Sequence, residues 1–248
     1  MTPRTRLSAL LVLPLLLLVL AGCGDDDSVE NTPKADSGQC TYPEDPQGAG
    51  KKADKPPSDP DPDSPAQLTI ATDRGDVRVS LDADKAPCTV NSFVSLAKQG
   101  FFDNTVCHRL TTEGIFVLQC GNAVATGKPD DQQNVAPGGP GYTVPDELID
   151  QDPRLQPCTG QQDPQSGREV CTYPAGTLAM ANAGTDTGSS QFFLVYKDST
   201  LASAYTTFGR MNAAGVKVVN EIAADGANPP DQFGTTTPKQ PVTITSVK

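Results

Sequence analysis

The sequence predicts a mainly β fold, a closed barrel capped by two α-helices. Three observations predict it. Short segments that alternate apolar and polar residues recur from Leu68 to the C-terminus. Turn-forming stretches separate them, in a chain with 22 glycines and 23 prolines. Only two segments space their apolar residues at helical intervals. Many short strands with two helices suit one barrel, in which closure removes exposed edges and the helices cover its ends.

The elements follow in chain order. Arg4 and Arg6 precede the apolar run "LSALLVLPLLLLVLAG", the pattern of a secretory signal over residues 1–22. The run is short for a membrane span. Its end, "LAGC", resembles a bacterial lipobox. That implies Cys23 as a lipidated mature N-terminus, with the protein extracytoplasmic and anchored to the outer face of the cell membrane. Residues 23–66 are rich in Asp, Pro, Lys and Gly and nearly free of large apolar side chains. They read as a disordered tether, because they bury too little surface to offset ordering entropy.

Residues 67–248 read as the folded domain. "LTIATDRGDVRVSL" alternates on both sides of "DRG", a β-hairpin. Val90, Phe93, Val94 and Ala97 then lie at helical spacing between Pro87 and Gly100. Strands are expected around Cys107–Leu110, Phe116–Cys120, Gly176–Ala181, Gln191–Tyr196 and Thr206–Arg210. Val216, Val219 and Ile222 mark a second helix, and "PVTITSV" a last strand. Two polar insertions, near residues 122–141 and 150–172, read as irregular surface segments.

Charge and cysteine content narrow the function. The formal net charge is −11, and −13 without the first 22 residues. Such a surface repels nucleic acid, so no nucleic-acid partner is expected. Six cysteines remain besides Cys23, an even number in an exported chain, which reads as disulfides. Cys107, His108 and Cys120 would leave a zinc ion without a fourth ligand, so no metal is expected. No Cys-x-x-Cys redox spacing occurs either. Hairpin geometry favours a Cys107–Cys120 bridge. A short insertion favours Cys158–Cys171, and elimination leaves Cys40–Cys88.

The segments "TDRGDVRVSLDADKAPCTVNSFVSLAKQGFFDNTVCHRL", "GIFVLQCGN", "GGPGY", "GTLAMANAGTDTGSSQFFLVY" and "YTTFGR" resemble the cyclophilins, peptidyl-prolyl cis-trans isomerases. Exported actinobacterial members are the most similar. The resemblance implies an eight-stranded antiparallel barrel with a helix at each end. It implies Arg109 as the catalytic residue. For substrate binding it implies Phe116, Val117, Gln119, Ala181, Asn182, Ala183, Gln191, Phe193, Leu201 and Tyr205. Three positions depart from the usual pattern: Val117 for methionine, Thr200 for tryptophan and Tyr205 for histidine. The missing tryptophan implies weak binding of cyclosporin.

The residue types suit that chemistry. Twisting an X–Pro bond takes the nitrogen lone pair out of conjugation, over a barrier of roughly 20 kcal/mol. A fixed guanidinium can donate to that lone pair and so favour the twisted state. The step requires no cofactor, metal or nucleophile. Apolar residues seat the proline ring, and the substrates expected are proline-containing exported polypeptides. The alternative is a proline-peptide binding module or chaperone on the same fold with little turnover. His108, next to Arg109 on a strand, points to the opposite face and is expected to be a buried, hydrogen-bonded spacer.

Overall fold

The computed structural model describes residues 39–248, so Cys23, the expected signal segment and the start of the expected tether lie outside the described residues. β1 (Gln67–Thr72) and β2 (Gly75–Leu81) form the expected hairpin. Alternation aims Leu68, Ile70, Val77 and Val79 into the core, where all four are buried. α1 (Pro87–Lys98) starts on a proline, whose missing N–H costs nothing in the first turn. The local sequence supplies no cap. Glu147 does so instead, its carboxylate accepting from the backbone N–H of Cys88 at 2.9 Å and of Thr89 at 2.8 Å. Gly100, at φ +63°, lets the chain leave the helix.

The middle of the chain supplies β3 (Thr105–Val106), β4 (Arg109–Leu110) and β5 (Val117–Cys120). β6 (Cys158–Gln162), β7 (Glu169–Tyr173), β8 (Thr177–Met180) and β9 (Phe192–Val195) follow. The last elements are β10 (Ser199–Ala202), β11 (Thr207–Met211), α2 (Ala213–Ala224) and β12 (Thr243–Val247). Asn212 caps α2 by accepting from Gly215 N–H at 2.8 Å. Phe93 of α1 sits at the centre of the core. Its ring lies 5.1, 5.3 and 5.2 Å from those of Phe102, Phe192 and Phe208.

The main sheet is antiparallel, in the order β3-β12-β1-β2-β11-β8-β9-β5-β4. It has nine strands where eight were expected, and the ninth has a simple origin. The two edge strands, β3 and β4, are consecutive in the chain and separated only by Cys107 and His108. Hydrogen bonds continue across the gap: Cys107 N–H donates to Val242 O at 2.9 Å, and His108 N–H to Gln119 O at 3.0 Å. One crossing of the chain is thus split into two short ladders. The sheet begins and ends on the same stretch.

Two expectations need correction. The 150–172 insertion is not irregular throughout, because β6 and β7 join β10 in a second sheet, order β10-β7-β6. Cys171 and Tyr173 alternate inward on β7 and are buried, an alternation that the polar residues around them obscured. Residues 39–66 do not form the disordered tether expected of them either. Cys40 is 3% exposed and bridged to Cys88 of α1, and Tyr42 is buried beside Tyr142 with ring centroids 5.6 Å apart. These anchors hold an otherwise polar segment together with backbone hydrogen bonds and side-chain ones such as Asn91 Nδ2 to Pro57 O at 2.7 Å.

Candidate peptide-binding site

The register of three ladders assembles the centre of the site. Arg109 lies opposite Gln119, Gln119 opposite Phe193, and Phe193 opposite Ala179. Directly opposed residues share a face of the sheet, so cation, amide and aromatic ring form one transverse row. Leu110, Leu118, Leu194 and Leu178 form the neighbouring row and face the core, all buried. A one-residue slip of β5 would exchange these faces.

Polar contacts orient the row. Arg109 Nη1 donates to Gln119 Oε1 at 3.4 Å, and Gln119 Nε2 donates to Gln191 Oε1 at 2.9 Å. Burial pushes the Arg109 pKa down from its ordinary value, and Tyr205 opposes the shift. The guanidinium remains a cation under all physiological conditions. Beside the row, Val117, Phe193 and Val195 pack with Leu155, Cys171, Tyr173 and Ala179 into a small apolar cluster. Leu201, Tyr205 and Ala181 lean against it. The Tyr205 ring meets Phe193 edge-on at 5.4 Å, and Tyr173 supports both, at 6.3 and 6.4 Å.

On the other side of the row opens a cavity of about 930 Å³, bordered by Arg109, Gln119, Gln191 and Ala181–Ala183. The Asn182 side chain is tied down, donating to Ala204 O at 2.8 Å. No hydrogen bond among the described residues engages its backbone N–H or carbonyl. Ala183 N–H is already given to Thr187 Oγ1 at 2.8 Å. The free backbone pair at Asn182 suits an extended peptide laid beside it.

Of the residues expected in the site, Phe116 stands apart. It precedes Val117 and takes the opposite face. It packs against the main core and Tyr196, with Lys197 Nζ 4.3 Å from its ring centroid. His108 is 2% exposed, as its spacer role requires, but its Nδ1 has no hydrogen-bond partner. Burial pushes its pKa down to about 4, against smaller opposing effects of the Val106 backbone and Gln191. Thr200 is exposed, next in the chain to Leu201 at the edge of the apolar cluster.

Two of the three disulfides lie beside the site. Cys107–Cys120 joins the segments that carry Arg109 and Gln119, with Cα atoms 4.0 Å apart. Cys158–Cys171 ties β6 to β7. It sits closer to the groove than a surface loop would, because Cys171 belongs to the apolar cluster and lies opposite Leu201. Cys158 and Cys171 also gather with Glu169, but sulfurs bonded to each other are not metal ligands. Sequence reasoning missed Tyr173 and the wall formed by residues 44–48. Tyr42, a lone aromatic two residues after Cys40, was the available signal for that wall.

Comparison with known proteins agrees with the geometry. Residues 67–248 match the family described as cyclophilin type peptidyl-prolyl cis-trans isomerase/CLD. A probable peptidyl-prolyl cis-trans isomerase B of Mycobacterium tuberculosis is 43% identical over 224 residues, covering 87% of this chain. This chain spans 65% of that relative's length. Peptidyl-prolyl cis-trans isomerase B of Streptomyces anulatus is 34% identical over 196 residues, 72% of this chain and 93% of the relative. A crystal structure of a cyclophilin-type isomerase from Cryptosporidium parvum is 23% identical, with a TM-score of 0.53 over 73% of this chain and 95% of its own. That protein's structure in the presence of the dipeptide Ala-Pro gives a TM-score of 0.52. Because the family match spans the whole main sheet and both helices, the chain belongs to the cyclophilin-type peptidyl-prolyl cis-trans isomerases.

Proposed function

We propose that this protein accelerates rotation about X–Pro bonds in exported polypeptides. The observation that carries the reading is the row Arg109–Gln119–Phe193, with an apolar seat on one side and a free backbone pair on the other. The proline ring sits against Val117, Phe193, Leu201 and Tyr205. The flanking peptide pairs with the Asn182 backbone, much as a strand adds to a sheet edge. Gln119, held by Gln191, fixes the guanidinium or accepts from the substrate amide. The Ala-Pro dipeptide used with the Cryptosporidium structure is of the ligand class that such a seat takes.

Rotation then needs one differential contact. In either planar isomer the proline nitrogen shares its lone pair with the carbonyl and accepts poorly. In the twisted state the pair is localised and Arg109 donates to it, so binding is stronger midway than at either end. No proton leaves the guanidinium. A protease-coupled assay on a proline tetrapeptide tests this. Wild type should accelerate isomerisation, and Arg109→Ala should lose about two orders of magnitude in kcat/KM. Equal rates would leave a binding module, the reading that the exposed Thr200 and the Tyr205 edge favour.

We further propose that Cys23 carries the lipid and holds the domain at the outer membrane face. The support is the "LAGC" sequence. Among the described residues no helix is long and apolar enough to cross a membrane. Cys23→Ser should shift the protein from the membrane to the soluble fraction with isomerase activity unchanged. Retention in the membrane at wild-type levels would refute the anchor.

A further inference from the structure

The cavity beside Arg109 has a wall that the barrel does not provide. Residues 43–50 run along 139–143 and exchange backbone hydrogen bonds with them. Asp45 N–H donates to Gly141 O at 2.9 Å, Thr143 N–H to Pro43 O at 2.9 Å, and Gly139 N–H to Gly48 O at 2.8 Å. The segment is fixed from both ends. Upstream, Cys40 is bonded to Cys88, and the Tyr42 hydroxyl donates to Cys88 O at 3.1 Å and accepts from Asn91 Nδ2 at 2.9 Å. Downstream, Lys51 Nζ donates to Gly100 O at 2.9 Å and Phe101 O at 3.1 Å, at the end of α1. Asp54 and the Gln99 side chain exchange two further hydrogen bonds, of 2.9 and 3.0 Å.

The charges on this wall oppose the one in the groove. Glu44, Asp45, Gln47 and Gly48 border the same cavity as Arg109. Among the described residues that border it, Arg109 is the one fixed cation, and Glu44 and Asp45 are the carboxylates. Asp45 Oδ1 accepts from Gly48 N–H at 2.9 Å, which holds its carboxylate in a turn. Glu44 lies 3.5 Å from Lys55 but its side chain is 80% exposed, so a second cation can approach it. His108 is buried at the cavity's border, and its Nδ1 has no hydrogen-bond partner among the described residues.

We propose that residues 43–48 are part of the substrate groove, and that Glu44 and Asp45 favour peptides with lysine or arginine flanking the target proline. The inference rests on the cavity being the peptide site. An extended chain leaving the proline seat gains about 3.3 Å per residue, so a residue or two beyond the proline reaches a new part of the wall. A cationic side chain there meets two carboxylates, whereas an acidic one meets repulsion.

The test is a set of hexapeptides with Lys, Gln or Glu placed on each side of the proline in turn. The readout is the ratio of kcat/KM for the Lys peptide to that for the Glu peptide at the more sensitive position. For wild type at low salt the ratio should be roughly three- to tenfold, the effect of one or two exposed charge pairs. It should fall toward one in the double variant Glu44→Gln, Asp45→Asn, and in wild type at about 0.5 M salt, where screening shortens the range of the charges. A wild-type ratio near one, or a double variant that keeps the wild-type ratio, would overturn the proposal. Failure of wild type to turn over any peptide would refute the isomerase reading instead. The same ratio is then read from dissociation constants by fluorescence anisotropy, and equal affinities would overturn the charged wall.

Discussion

His108 gives a stability prediction whose sign and size follow from its burial. It is the chain's one histidine and is 2% exposed. Burial holds its pKa at about 4, against 6.5 for the free side chain. The unfolded chain therefore binds a proton between these values and the folded chain does not. Stability should rise with pH across this window, and be lost as pH falls from about 6.5 toward 4. From pH 7 to pH 5 the linkage amounts to about 2 kcal/mol. With a urea slope of about 2–3 kcal/mol per molar, the midpoint should drop by roughly 0.7–1 M. The assay is urea unfolding at several pH values for wild type and His108→Gln. Asp146, whose pKa burial raises, acts in the opposite sense by favouring the folded state as it takes up its proton. It is present in both proteins and cancels in the comparison. The variant should lose the slope whatever its absolute stability. Parallel pH profiles for the two proteins would refute the burial argument.

Other perturbations probe the frame of the site. Replacing Cys107 and Cys120 by serine opens a loop with a sequence separation of 13 and should cost on the order of 3 kcal/mol in urea unfolding. It should also lower kcat/KM more than removal of Cys40–Cys88 does, because Arg109 and Gln119 share that frame. Gly121→Ala should destabilise by about 2–4 kcal/mol, read as a lower urea midpoint. Its φ is +88°, and an added Cβ would lie 2.2 Å from Ser190 O. Thr200→Trp should tighten cyclosporin binding in calorimetry, since an indole adds apolar area and an N–H donor at that position. Unchanged or weaker affinity would count against that role.

The sequence carried the barrel and its site unevenly, for physical reasons. The hairpin at Asp73–Arg74, α1 and α2 were legible because one face of each is buried and the other is wet. Arg109, Gln119 and Phe193 were named from the family pattern. What the sequence could not show is the register that aligns them, which depends on ladders between strands distant in the chain. Phe116 was named from the same pattern, yet it packs against the main core and Tyr196 whereas Val117 packs in the smaller cluster beside the row. β6 and β7 escaped notice because polar side chains dominate both, and only Cys171 and Tyr173 point inward. The wall at residues 43–48 is ordered by contacts to residues some 46 to 100 positions away, such as Tyr42 with Cys88 and Pro43 with Thr143. Composition alone cannot reveal such contacts.

The central claim is that Arg109 holds the twisted amide more tightly than either planar isomer. Exchange NMR on an Ala-Pro peptide tests it directly, by measuring the affinity and the cis–trans exchange rate of bound peptide in wild type and Arg109→Lys. Lysine keeps the charge but not the rigid donor fork. The account predicts that exchange slows on the order of 100-fold while the dissociation constant changes by less than about threefold. A loss of affinity equal to the loss of rate would show that Arg109 merely binds the peptide, and would contradict the account.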